Sequence, residues 1–258
     1  MNILERIVKD KKQEVAAKKN SLSLPFLVSS PLFDRTVVSM SEHIITGSGV
    51  ISEFKRRSPS KQVINHSDSV IAVTSAYEKA GASAISVLTD TKYFGGAIDD
   101  LIQARNQVNI PLLRKEFIIE PYQIYEAKAY GADAILLIAA ILTAAQVLQF
   151  SELAHQLGLE VLLEVHNKEE LDGSPLEFVD LVGVNNRNLK TFEVSLETSK
   201  ELAPLISKEK VKISESGISS IEAIHSLKEY DYKGFLIGEN FMKMKNPGAA
   251  ATEFINAL

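Results

Sequence analysis

Not one of the 258 residues is cysteine, which excludes disulfides and every thiolate site, catalytic or metal-binding. A chain of this kind fits a reducing compartment, and the cytoplasm is the expected location. Long apolar runs are missing as well. The longest, AILLIAAIL at 134–142, is far too short to span a bilayer, so no membrane partner is expected. It reads instead as a strand buried on both faces, as parallel sheets require. The opening MNILERIVKD lacks a long apolar core and is not read as a signal peptide. Basic residues are not in excess: the net charge of −5 gives no overall footprint for nucleic acid and leaves room only for a local cationic pocket. The five histidines show no metal-ligand spacing, so no metal is expected. There is neither a Walker sequence nor a Gly-rich dinucleotide fingerprint at the first strand. With 45% hydrophobic and 24% charged residues the composition is that of an ordinary globular protein, and the length admits two domains or one α/β barrel.

What is present is a rhythm. YEKAGASAISVL (77–88), AKAYGADAILLI (127–138) and AHQLGLEVLLEV (154–165) each run from a helix-like segment through a glycine into a short apolar stretch. Gly81, Gly131 and Gly158 fit the left-handed position just past a helix C-terminus. Extended along the chain, the rhythm predicts eight strands near 49–55, 84–88, 112–117, 134–138, 160–165, 180–185, 211–215 and 234–238. Ser151, Ser195, Ser219 and their neighbours are read as helix caps or first-turn residues. Eight strand–helix units in a chain of ~250 residues match a single (β/α)8, or TIM, barrel; a doubly wound sheet usually has fewer strands. Residues 1–47 precede the barrel at 48–258. Ile3, Leu4, Ile7, Val8 and Val15 mark an amphipathic helix there, followed by a Ser/Pro-rich connector, SLSLPFLVSSP. Pattern alone allows that helix to plug the barrel floor or to lie over its mouth. The run KDKK (9–12) reads as a solvated helix face, and Tyr122, Tyr125 and Tyr130 as helix packing.

In such barrels chemistry sits at the C-terminal strand ends. VISEFKRRSPSKQ (50–62) puts Glu53 and Lys55 two apart, hence on one face of a strand. Strand three carries Lys115 and Phe117 with the same spacing. Strand five carries Glu164, strand six Asn185 and Arg187, strand seven Glu215, Ser216 and Gly217, and strand eight Gly238 and Glu239. One such residue is as often a structural ion pair as a functional group. Six strands ending this way argue for a site that handles a charged substrate. The glycines ending strands seven and eight add a phosphate signal, because backbone N–H groups at such turns suit a dianion. His166 shares a face with Glu164 but extends beyond the strand, and no ligand role is assigned to it.

SEFKRRSPS, LLRKEFI, LLEVH, VGVNNRNL, SESGI and LIGENFM occur in this order. Together they resemble the indole-3-glycerol-phosphate synthases of tryptophan biosynthesis, over nearly the whole chain. The resemblance implies a (β/α)8 barrel with its N-terminal extension over the catalytic face, and no cofactor. It implies conversion of 1-(2-carboxyphenylamino)-1-deoxyribulose 5-phosphate, a small phosphorylated substrate, to indole-3-glycerol phosphate, CO2 and water. Matched residue by residue, the catalytic positions are Glu53, Lys55, Lys115, Glu164, Asn185 and Ser216. Arg187 matches a substrate contact. Ser58, Gly217, Gly238 and Glu239 match the phosphate surroundings, and Phe94, Phe117, Leu136, Leu189 and Ile237 the pocket for the aromatic ring. Glu215, closing strand seven, joins the substrate-binding set. Gln62 stands where many members have Gly; Glu239 and Asn240 replace small hydroxyl residues, so the Glu239 side chain is expected to turn away from a bound dianion. A monomer is expected, with at most weak association with other enzymes of the pathway.

The chemistry asks for two acid–base pairs. Ring closure needs an acid for the ketone oxygen, and dehydration needs an acid for the departing hydroxyl and a base for a ring proton. Lys115 with Glu164 is assigned to closure, and Lys55 with Glu53 or Glu164 to dehydration. A sugar-phosphate isomerase would not need the Phe/Leu pocket. A Schiff-base aldolase needs a lysine of depressed pKa, which neighbouring carboxylates oppose. A phosphosugar-binding barrel without activity would not need the full set of acids and bases.

Overall fold

The computed structural model describes residues 3–189 and 191–258. Eight parallel strands close on themselves: β1 (Val50–Phe54), β2 (Ala84–Leu88), β3 (Leu112–Lys115), β4 (Ala134–Ile138), β5 (Glu160–Val165), β6 (Leu181–Asn185), β7 (Val211–Glu215) and β8 (Gly234–Ile237), with β8 pairing back to β1 through Ser52↔Ile237. The (β/α)8 barrel expected from the sequence is therefore the fold. Helices α1 (Ile3–Ser21), α2 (Leu24–Val28) and α3 (Met40–Thr46) precede it. The crossovers carry α4 (Val70–Lys79), α5 (Thr91–Phe94), α6 (Ile98–Arg105), α7 (Tyr122–Ala129), α8 (Ala144–Gln156), α9 (Lys168–Asp172), α10 (Glu197–Leu202), α11 (Ile221–Lys228), α12 (Glu239–Met242) and α13 (Pro247–Asn256).

Alternation along the strands divides the apolar residues into two bodies. Ile51, Ala84, Leu113, Ala134, Leu136, Leu162, Leu181, Ile213 and Leu236 fill the barrel interior. Their outward neighbours, such as Val50, Ile85, Ile135, Val161, Val182 and Phe235, pack against the helices. Gly81, Gly131 and Gly158 take the left-handed backbone expected of them, at φ 88°, 88° and 75°.

Some expectations need correction. β3 stops at Lys115 rather than 117, because the Phe117 amide leaves the ladder to donate to Glu116 Oε1 at 2.8 Å. AILLIAAIL is a strand only to Ile138, and 139–141 form a 3₁₀ turn. The connector holds a helix of its own, α2, capped by the Ser23 hydroxyl. Ser151 is no cap: it lies inside α8 and its hydroxyl donates to the Val147 carbonyl at 2.7 Å, while Thr143 and Gln146 form the capping box. Ser220, the neighbour of Ser219, caps α11.

The two candidate placements for an N-terminal helix are both occupied, by different helices. α3 plugs the floor, with Met40 and Ile44 buried among the inner residues. Its N-terminus is held by Glu160, which accepts the Met40 and Ser41 amides at 2.8 Å each. α1 lies across the mouth, where Ile3, Leu4 and Ile7 meet Phe94 and Phe117. The KDKK run is not wholly solvated: Lys11 is 2% exposed, because carboxylates from two strand ends reach it.

Candidate active site

Alternation also decides which polar groups point inward at the strand ends. Glu53, on β1, and Lys55, one residue past its end, do, and Lys55 Nζ donates to Glu53 Oε1 at 2.6 Å. Each charge therefore finds its counter-charge two residues away, which accounts for an acid and a base at the end of an otherwise apolar strand. The Ser86 hydroxyl donates to the other Glu53 oxygen at 3.4 Å. A Cβ at position 238 would crowd that carboxylate, so glycine at the end of β8 is what gives Glu53 its room.

A second cluster spans β3, β5 and β7. Lys115 Nζ donates to Glu164 Oε2 at 3.2 Å and to Glu215 Oε2. A side chain at 183 would overlap Glu215 Oε1, so Gly183 on β6 clears its place. Burial disfavours the Lys115 ammonium, but Glu215, Glu164 and Glu53 more than offset this and hold its pKa well above the usual lysine value. The two carboxylates, both touching Lys115, diverge. Burial opposes ionisation of Glu164, yet Lys115, His166 and Asn185 hold it below the usual carboxylate range. Glu215 has no such second support. Its Oε1 lacks a hydrogen-bond partner among the described residues, and burial together with the Glu164 charge pushes it up to about 7.

This divergence has a stability consequence. A carboxyl whose folded pKa is raised from 4.5 to about 7 binds a proton that the unfolded chain releases. Its contribution therefore favours folding at low pH and is lost as pH rises from about 4.5 through about 7. Glu215→Gln removes the titration. The stability of the variant relative to the unsubstituted chain should rise between pH 5 and pH 8. Urea unfolding at the two pH values measures it; an unchanged difference would mean that Glu215 is ionised throughout.

His166, at the end of β5, lies behind Glu164. Its Nε2 is 3.3 Å from Glu164 Oε1, in ion-pair range though not aligned for a hydrogen bond, and its Nδ1 is 3.0 Å from Glu170 Oε2. Burial opposes its charging, but Glu164 and Glu170 prevail and push its pKa up to about 10. An imidazolium behind Glu164 explains why Glu164, and not Glu215, keeps its charge.

Every residue assigned from the sequence to catalysis or substrate contact borders one cavity of ≈350 Å³ at the mouth. Phe94 and Phe117 face each other with ring centroids 5.9 Å apart, and Leu136 and Leu189 continue the apolar wall. Arg187, Ser58 and the turns after β7 and β8 border the same cavity. Ser216 and Gly217 are both left-handed, at φ 67° and 78°, and a side chain at 217 would run into Val194. Glu239 Oε1 accepts from Lys61 Nζ at 3.0 Å, joining the loop after β1 to α12. Ile237 borders the cavity while packing in the outer body, and Leu236 supplies the inward apolar face there. Leu88, Ile138, Leu236 and Glu116 also line the cavity and were not picked out. For Ile138 and Leu236 the two-residue alternation from Leu136 and Gly238 carries the signal. No group of three or more metal-ligating side chains occurs among the described residues.

Fold and site together define a (β/α)8 barrel whose mouth gathers acids and bases at the strand C-termini, the place where barrels of this class carry an active site. The sequence profile described as Indole-3-glycerol phosphate synthase matches residues 4–254. The chain belongs to that family, and with it to the carboxy-lyases of tryptophan biosynthesis. It is 44% identical to the indole-3-glycerol phosphate synthase of Bacteroides thetaiotaomicron, over all of this chain and 99% of the relative. It is 43% identical to that of Polynucleobacter asymbioticus, over 98% of each. Among solved structures, a thiamine phosphate pyrophosphorylase from Pyrococcus furiosus superposes with a TM-score of 0.61 at 14% identity, covering 85% of this chain and 98% of its own. A tryptophan synthase complex from the same organism gives 0.57 at 19%, covering 82% and 95%. At these identities the structural likeness is one of fold. No helix among the described residues is long and apolar enough to cross a membrane.

Proposed function

We propose that the family's indole-forming reaction runs here on two separate acid–base clusters, Lys115 with Glu164 and Glu215 for ring closure, and Lys55 with Glu53 for dehydration. The observation that carries the assignment is the separation itself. One ammonium sits between two buried carboxylates beside Phe117, and another pairs with Glu53 on β1.

In the first step the anthranilate ring lies against Phe94 and Phe117, and its carboxyl-bearing carbon attacks the ketone. Lys115 gives its proton to the ketone oxygen as the C–C bond forms. Positive charge grows on the anilino nitrogen, facing fixed carboxylate charge that needs no reorganisation. The ring carboxylate then leaves as CO2 and its bonding pair restores aromaticity. In the second step Lys55 protonates the hydroxyl, which departs as water, and Glu53 takes the adjacent ring proton to complete the indole. Asn185 supports Glu164, and Ser216 lies beside the turn at Gly217. Arg187, Ser58, Gly217, Gly238 and the Glu239 backbone surround the phosphate, with the Glu239 side chain held off by Lys61. Residues 1–47 and 48–258 act as one unit, because α1 completes the mouth and α3 closes the floor. The reading includes a cytoplasmic monomer.

The test is turnover of 1-(2-carboxyphenylamino)-1-deoxyribulose 5-phosphate followed by indole fluorescence. The chain has no tryptophan, so the signal rises from a dark background. Equal amounts of indole product and CO2 are expected. Substrate that returns only as an isomerised sugar phosphate, without indole, would move the site to isomerase chemistry.

A further inference from the structure

Charge periodicity alone would leave Lys11 in water, yet it is 2% exposed, and its Nζ lies 2.7 Å from Glu14, 2.9 Å from Asp90 and 3.0 Å from Glu116. A lysine this buried is rare unless paired, and two of its partners hold the walls of the aromatic pocket. Asp90 Oδ1 caps α5, accepting the Tyr93 amide at 2.7 Å and the Phe94 amide at 3.3 Å, while Asp90 Oδ2 takes Lys11. Glu116 Oε1 takes Lys11 and also accepts the Phe117 amide at 2.8 Å; Glu116 Oε2 accepts from Thr89 Oγ1 at 2.8 Å. One ammonium on α1 thus bridges the two carboxylates that fix the backbones of Phe94 and Phe117. The preceding residue strengthens the attachment: Asp10 Oδ2 accepts from Lys92 Nζ at 2.7 Å and from the Tyr93 hydroxyl.

We propose that Lys11 is a positioning residue that sets the relative position of Phe94 and Phe117 in the aromatic wall, so that α1 tunes recognition of the aromatic half of the substrate rather than merely covering it. Remove the ammonium, and two buried carboxylates at neighbouring strand ends repel each other across its place. α5 and the Phe117 segment then separate. Burial disfavours the Lys11 charge, but Glu116, Asp90 and Glu14 override this and keep it protonated throughout the working pH range. The bridge is therefore constant, not a pH switch. The phosphate-side residues Arg187 and Gly217 lie on β6 and β7 loops that Lys11 does not touch. The two halves of substrate recognition should respond separately.

The inference rests on the placement of the substrate ring against Phe94 and Phe117, and the absence of cysteine allows a clean test. In Lys11→Cys, alkylation of the unfolded chain with bromoethylamine and refolding gives a side chain of lysine's length ending in an ammonium. Iodoacetamide gives one of similar length ending in a neutral amide. Both adducts are assayed beside the unsubstituted enzyme for kcat, KM and inhibition by inorganic phosphate. The ammonium adduct is expected to match the unsubstituted enzyme. The amide adduct should lose ~10²-fold in kcat/KM, the cost of about 1 Å of misplacement. Most of that loss should fall in KM, with phosphate inhibition unchanged. If the amide adduct does not refold, Asp90→Asn, which keeps a capping oxygen and drops the charge, should show the same split at smaller size. Equal kcat/KM in the two adducts would overturn the proposal, as would phosphate inhibition weakening in step with KM. Absence of indole formation by the unsubstituted enzyme would instead remove the ring placement itself, and the proposal with it.

Discussion

Lys115→Met is expected to lower kcat by ~10²–10⁴-fold, the usual worth of a positioned general acid, while substrate affinity changes far less. Methionine keeps most of the stem and removes only the proton and the charge. The fold should survive, because Glu164 and Glu215 lose their shared cation but Glu215, already raised to about 7, can take up a proton and relieve the repulsion. His166 remains behind Glu164 to balance the other charge. Lys115→Arg should not restore activity: guanidinium is a far weaker acid, and its planar fork does not fit the gap between two carboxylates on facing strands. Steady-state kinetics on both variants, with phosphate inhibition as the measure of an intact mouth, decides this. A Lys115→Met enzyme with kcat within threefold of the unsubstituted one would remove Lys115 from the chemistry.

Glu53→Gln should separate two products that normally appear together. Glu53 is assigned to the second step, and decarboxylation precedes it. In a single turnover the variant should release CO2 at close to the normal rate, while indole fluorescence lags by ~10²-fold, the general-base contribution. Glutamine still accepts from Lys55 and fits beside Gly238, so the loss is of basicity rather than of packing. Equal slowing of both signals would place Glu53 in ring closure and dissolve the division between the clusters.

Much of this site could be read from the chain because strand alternation is a local property. Glu53 and Lys55, two apart at a strand end, come to one face although Lys55 lies one residue past the ladder; Phe117 has left the ladder and still borders the same cavity as Lys115. Membership of one cavity follows from barrel closure, which the eight-fold rhythm implies. What stayed hidden depends on distant partners. Lys11 lies among charged neighbours on a helix, and nothing within its own turn shows that Asp90 and Glu116 converge on it. α3 is a short segment, MSEHIIT, whose role as the floor plug depends on Glu160 reaching its first amides from another element. Ser151 resembled a cap because a serine's preference for helix ends is weaker than the tertiary packing that buries it within α8. The unequal fates of Glu164 and Glu215 follow from which of them has an imidazolium behind it, and that depends on Glu170 as much as on either carboxylate.

The central claim is that Lys115 acts as a charged acid and never bonds to the substrate ketone. Cyanoborohydride, which reduces an iminium ion but spares a ketone at neutral pH, added during turnover and followed by intact mass measurement, tests it directly. Burial between carboxylates keeps the amine protonated and therefore a poor nucleophile, so the mass should equal that of the unmodified chain while indole continues to form. A stable adduct of substrate mass on Lys115 would contradict the assignment and make the first step covalent.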